Sequence, residues 1–250
     1  MSFFFRRKAI VVDAFTYIET VIESNPIEIA AKFIPEWWRR MDKCYFTDRE
    51  WIKNIPEPTM KTCPGFLDLY KRGLIVPLWK DIELETKEDG GYSYVTTFGE
   101  DTIQSHNSNQ YGNQFQDSIH FKFLSPWFFS EKTGVQFYFG NPFWSHVGET
   151  VNTAATPAIA TPGAKGMVVN VNAFYPRQNK RYSLKAGLPM LHIIPLTEKN
   201  LIVKTHLISR SEFVEKEIQD SCKSSFIKDA INRKRSLCQR DKPKKFLFFR

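Results

Sequence analysis

The chain has 250 residues, 42% hydrophobic and 25% charged, an ordinary globular balance that argues against a disordered or low-complexity polypeptide. No apolar run approaches the roughly 18 residues of a spanning helix, and four scattered cysteines without Cys-x-x-Cys spacing or a nearby His argue against a zinc knuckle. The net charge of +8 is lopsided: residues 232–250 hold eight basic side chains against Asp241, so the rest is nearly neutral and its pI says little about a partner.

Residues from about Val11 to Met41 read as helical, because Phe15, Ile18 and Ile22 keep helical spacing up to Asn25-Pro26. Ile27, Ala30, Ala31 and Ile34 then supply a short second stripe, and Trp37-Trp38 reads as an anchor of that segment onto a sheet. Residues 42–65 read as irregular, limited by Pro56, Pro58 and Pro64, and Phe66–Lys71 as a short helix ended by Gly73.

From Leu74 the period changes to two. Leu74 to Glu85 reads as one long strand with Asp81, Glu83 and Glu85 on a wet face. Glu88-Asp-Gly-Gly91 marks a hairpin turn, with Tyr92 to Phe98 returning antiparallel. Ile119–Phe123, Val135–Phe139, Met167–Phe174, Tyr182–Ala186, Met190–Ile194 and Leu201–Leu207 are further expected strands, and 154–166 an expected loop. Ser211 is expected to cap a last helix whose Val214, Ile218, Cys222 and Phe226 share one face. Strands without alternating helices favour a sandwich or barrel. The expected organisation is therefore mainly β: a helical segment over 1–45, a β-sandwich body over 46–210, a helix over 211–231 and a basic arm over 232–250.

Candidate chemistry is sparse. None of the five His opens a His-x-Asp or His-x-Glu pair, the usual start of an iron-binding facial triad on strands. There is no Gly-x-Ser-x-Gly elbow and no phosphate loop. Trp127 and Trp144 are candidate loop aromatics on which a sugar or peptide would stack, with core anchoring as the competing reading. The arm combines Arg233, Lys234, Arg235, Lys244 and Lys245 with Phe246, Phe248 and Phe249, a basic-aromatic set suited to an acidic protein surface or nucleic-acid phosphates. The competing reading is a solvated tail. Phe3–Phe5 beside Arg6, Arg7 and Lys8 repeat the pattern at the other end. That basic cluster follows the apolar run, the reverse of a secretory signal, so the protein is expected to stay where it is made, in a reducing compartment.

Four phrases occur in a fixed order: Thr62-Cys-Pro-Gly-Phe-Leu-Asp68, Gly73-Leu-Ile-Val-Pro-Leu-Trp79, Phe121-Lys-Phe-Leu-Ser-Pro-Trp127, and Ala186-Gly-Leu-Pro-Met190 through Ile194-Pro-Leu196. Over roughly residues 35–200 the chain resembles an uncharacterised family of tailed phages of marine bacteria and some bacterial genomes. The resemblance implies a jelly-roll or cupin-like β-sandwich and a phage context, in the host cytoplasm or incorporated in the virion. The family has no established activity, so no functional residue carries over. The expectation is a non-catalytic structural or interaction protein without a cofactor or metal, partnered by copies of itself or neighbouring phage proteins. The alternatives are an iron-dependent oxygenase of the cupin or 2-oxoglutarate type, and nucleic-acid binding through 232–250.

Overall fold

A computed structural model describes residues 9–49, 52–97, 102–107, 110, 115–146 and 154–223. The first part of the chain contains β1 (Ile10–Thr16), α1 (Glu19–Ser24), β2 (Glu28–Ile29), α2 (Glu36–Arg40), β3 (Cys44–Arg49), β4 (Ile52–Pro58) and α3 (Pro64–Lys71). The middle supplies β5 (Leu74–Pro77), β6 (Ile82–Thr86), β7 (Tyr92–Thr96), β8 (Ile103–Ser105), β9 (Ser118–Phe123), β10 (Phe128–Glu131) and β11 (Phe137–Gly140). There follow β12 (Ala154–Ala155), β13 (Ala158–Ala160), β14 (Met167–Val168), β15 (Val171–Pro176), β16 (Lys180–Leu184), β17 (Pro189–Pro195), β18 (Leu201–Leu207) and α4 (Arg210–Lys223). The protein is mainly β, and no helix among the described residues is long and apolar enough to cross a membrane.

The strands form several sheets, in the orders β14-β10-β1-β18, β13-β11-β17-β5-β2, β12-β15-β9-β8, β16-β6-β7 and β3-β4. Among the described residues the β1–β18 pairing is parallel and the other ladders are antiparallel. One large core cluster takes side chains from all of these sheets except β3-β4. At its centre Phe121 meets Tyr92 edge-on at 4.9 Å and Tyr175 at 5.4 Å, and Tyr175 meets Tyr182 at 5.1 Å. These rings fasten the β9–β15 sheet to the β16–β6–β7 sheet by the offset geometry that ring quadrupoles favour.

The segment over residues 11–41, expected to be helical, is helical only in part: α1, a 3-10 turn at Ala30–Phe33 and α2 lie within it, but its first residues do not form a helix. Ile10, Val12 and Ala14 are buried in alternation, so this stretch is the strand β1, held between β10 and β18. The helical spacing of Phe15, Ile18 and Ile22 spans a strand end and the short α1, and period two won because both neighbouring strands supply ladder partners. Residues 44–58, expected to be irregular, form the hairpin β3–β4, whose Pro56 and Pro58 are tolerated because the strand is an edge. The expected strand from Leu74 to Glu85 divides. All four residues of β5 are buried, whereas β6 alternates, and the two belong to different sheets. Met167–Phe174 divides likewise into β14 and β15, and the expected 154–166 loop contains the short β12 and β13.

Ser209, not Ser211, caps α4 by accepting from the Glu212 N–H at 3.2 Å, so the helix begins at Arg210. Its buried anchor is Phe213, which meets Tyr17 at 4.9 Å. Val214 and Ile218 face solvent, and Phe226 lies outside the described residues. The hairpin turn at 88–91 and strand β9 occur where the sequence placed them; α3 starts at Pro64, two residues before the expected Phe66, and β11 starts at Phe137, two residues after the expected Val135.

Gly73 illustrates how closely β5 and β17 approach. Its φ is +93°, and a Cβ there would lie 2.3 Å from the Ile193 carbonyl oxygen. Gly73→Ala is therefore expected to destabilise the fold by about 2–4 kcal/mol through strain and backbone clash. Urea unfolding checks this, and a loss below about 0.5 kcal/mol would show that the β5–β17 contact is not a constraint.

Candidate interaction surface

The hairpin β3–β4 stands apart from the other sheets. Among the described residues its strands pair with each other, and none of its residues belongs to either buried core cluster. Period two puts Cys44, Phe46, Pro56 and Pro58 on one face, with Phe46 opposite Pro56 and Cys44 opposite Pro58. On that face Phe46 is 65% exposed, and Tyr45 and Ile55 on the other face are each 50% exposed. The Tyr45 hydroxyl donates to Glu57 at 2.6 Å across the strands. An isolated two-stranded ribbon is marginal in water, so this one depends on the contacts at its base.

The arm is anchored at its base. Trp38 stacks on Phe66 at 5.1 Å and donates its indole N–H to the Met60 carbonyl at 3.2 Å. Lys61 lies over the Trp38 ring at 4.6 Å and donates to the Trp38 carbonyl at 3.1 Å. The Thr59 N–H donates to the Lys43 carbonyl at 3.0 Å, and its hydroxyl donates to Asp42. Trp37 donates to the Trp144 carbonyl at 3.1 Å, so the tryptophan pair anchors α2, though on Phe66 of α3, Met60 and Trp144 where a sheet was expected.

Trp127 is completely buried, a core ring in place of the loop surface considered for stacking. Trp144 is half-buried and packs on Phe66 and Trp37, with ring centres 5.5 and 6.2 Å away. The structure does not bring these two tryptophans into one site. Arg233, Lys234, Arg235, Lys244, Lys245, Phe246, Phe248 and Phe249 lie outside the described residues, as do Phe3–Phe5. The acidic ladder Asp81, Glu83 and Glu85 is a solvated face. Lys185 reaches Asp81 and Glu83 at 3.4 and 3.5 Å, and Arg181 reaches Glu85 at 3.5 Å. The Ala186 N–H holds the Asp81 carboxyl below its ordinary pKa, helped by Lys185.

A second feature was missed from sequence: a column of four stacked rings on the β8–β9–β15 sheet. His106 stacks on His120 at 4.4 Å, His120 on Phe174 at 4.4 Å, and Phe174 on Phe115 at 4.5 Å. Strand register makes it, since Phe174 is directly opposite His120. His106 is held by Gln110 at 2.6 Å and Asn172 at 3.3 Å. Burial, then the neighbouring His106, pushes His120 down to about 4. Elsewhere His192 is lowered by burial and donates to the Arg72 carbonyl at 3.1 Å. Asp13 pairs with His206 at 2.9 Å on the sheet surface. Among the described residues no group of three His, Cys, Asp or Glu is placed to hold a metal ion.

No family model, curated protein or solved structure matches this chain.

The sign of the His120 effect is definite. Below about pH 6.5 the unfolded chain takes up a proton at this imidazole that the folded chain refuses until about 4. Stability therefore falls as pH drops through that window. His192 acts in the same direction, while Glu217, raised by burial, acts in reverse. His120→Phe isolates the imidazole. Between pH 7 and 4.5 the parent is expected to lose about 1–2 kcal/mol more than the variant, discounted for solvent screening. Urea titrations at the two pH values measure this, and equal losses would exclude His120 as the titrating group.

Proposed function

We propose that this chain is a non-catalytic structural or interaction protein, phage-associated and employed in a virion or its assembly. The observation that carries the proposal is the β3–β4 arm, which exposes Phe46 and Ile55 and stands on an aromatic base. Exposed apolar patches of this kind mark association surfaces, and assembling chains commonly clasp neighbours through projecting elements. The phage context and the jelly-roll, cupin-like character of the body are supported by the ordered phrases within residues 35–200. The two that include Gly73–Trp79 and Ala186–Met190 meet in space: the Leu78 N–H donates to the Leu188 carbonyl at 2.7 Å and the Gly187 N–H to the Leu78 carbonyl at 2.8 Å. In this reading the partners are copies of the chain or neighbouring phage proteins, in the host cytoplasm or in the virion.

The local +7 of residues 232–250 supports a second reading, nucleic-acid binding by that segment. The two separate by experiment. Replacing residues 44–58 with a short Gly-Ser turn between Lys43 and Thr59 is expected to reduce the light-scattering mass of the assembled protein to that of the monomer. Removing 232–250 is expected to leave that assembly intact. A parent that is monomeric at all concentrations, and whose nucleic-acid affinity falls steeply with salt, would favour the second reading instead.

A further inference from the structure

α4 lies on the body by its charged face. Phe213 is buried against Tyr17, just after β1. Lys216 sits 4.6 Å over the Phe15 ring of β1 and 5.5 Å over Phe128 of β10, and Asp220 accepts the Val168 N–H of β14 at 3.0 Å. Phe213, Lys216, Glu217 and Asp220 follow one another at i, i+3, i+4 and i+7, so they share one side of the helix. Over residues 210–220 they are the buried and half-buried positions. A helix fixed to a core places apolar side chains there. Here Phe213 alone is apolar and the other three carry charge, while Val214 and Ile218 face solvent at 42% and 57% exposure. An element with so few buried apolar contacts belongs to the low end of local stability.

The far anchor has a specific consequence. β14 is the last strand at its end of the sheet among the described residues. The Val169 N–H donates to the Trp127 carbonyl at 3.0 Å, so in the antiparallel β10–β14 ladder Val168, opposite Phe128, points its own N–H away from β10. An outward N–H on an edge strand is a site for unwanted pairing, and the Asp220 carboxylate occupies it. We propose that α4 is a releasable strap: docked, it closes the β14 edge through Asp220, and released, it frees the Val168 N–H and the Phe15 ring together. The Ile208 N–H, bonded to the Thr16 carbonyl at 2.9 Å, fixes the chain just before the helix, so the pivot lies directly after it. The strap operates whether or not β3–β4 is an association surface.

Amide hydrogen exchange on the full chain tests this, with the β1 amides as the internal standard for folding. In the parent, α4 and the Val168 amide are expected to exchange at least about tenfold faster than β1. Asp220→Ala removes the far anchor and is expected to speed exchange of Val168 and α4 by about tenfold, the effect of losing a hydrogen bond to a charged group. Lys216→Leu gives the contact face a second apolar side chain and is expected to slow both by about fivefold. Fraying of the helix end alone would leave Val168 indifferent to a change four residues before Asp220, so the joint response reports movement as one body. If α4 of the parent exchanges no faster than β1, if Asp220→Ala leaves Val168 unchanged, or if Lys216→Leu fails to slow α4 and Val168 together, the strap is overturned.

Discussion

The structure depends on the edge-to-face packing of Phe121, Tyr92, Tyr175 and Tyr182 between two sheets. Each ring buries about 150–250 Å² of surface, and together they hold β9 and β15 against β6, β7 and β16. Short strands of two to seven residues cannot hold a sheet by ladder bonds alone. The rings supply the side-chain contact that makes such small sheets cooperate.

A smaller cluster of Ala30, Trp38, Phe66, Tyr70 and Ile75 has a different consequence. It fixes α2 and α3 against β5, and because Trp38 also holds Met60 and Lys61, the stem of the β3–β4 arm is rigid where it leaves the body. In the proposed function, a held stem would lower the entropy lost on binding, which links core packing to that proposal.

Much of the architecture was legible wherever one physical signal acted alone. Alternation in Ile119–Phe123 and the Asp-Gly-Gly turn at 89–91 have a single reading, because one face of each strand is wet and glycine frees the turn. The tryptophan pair at 37–38 read correctly as an anchor, since two adjacent indoles on a short segment find cover most readily against a core. Failure came where two signals competed. Phe15, Ile18 and Ile22 have helical spacing, but Ile10, Val12 and Ala14 find strand partners on both sides. Prolines read as breakers at 56 and 58, yet an edge strand loses nothing by lacking an outward N–H.

The composition, the period-two runs, the turn glycines and the capping of the last helix by a serine near 210 are local properties, so the polypeptide alone determined that the protein is mainly β with a closing helix. Which strands become neighbours is non-local. Only tertiary register put Phe174 opposite His120 and lowered that imidazole by burial, and only sheet order put β18 at the end of its sheet among the described residues. The arm likewise gained its meaning from the fold. Its residues are unremarkable in sequence, and Phe46 and Ile55 are exposed because the buried clusters of the described residues form without them.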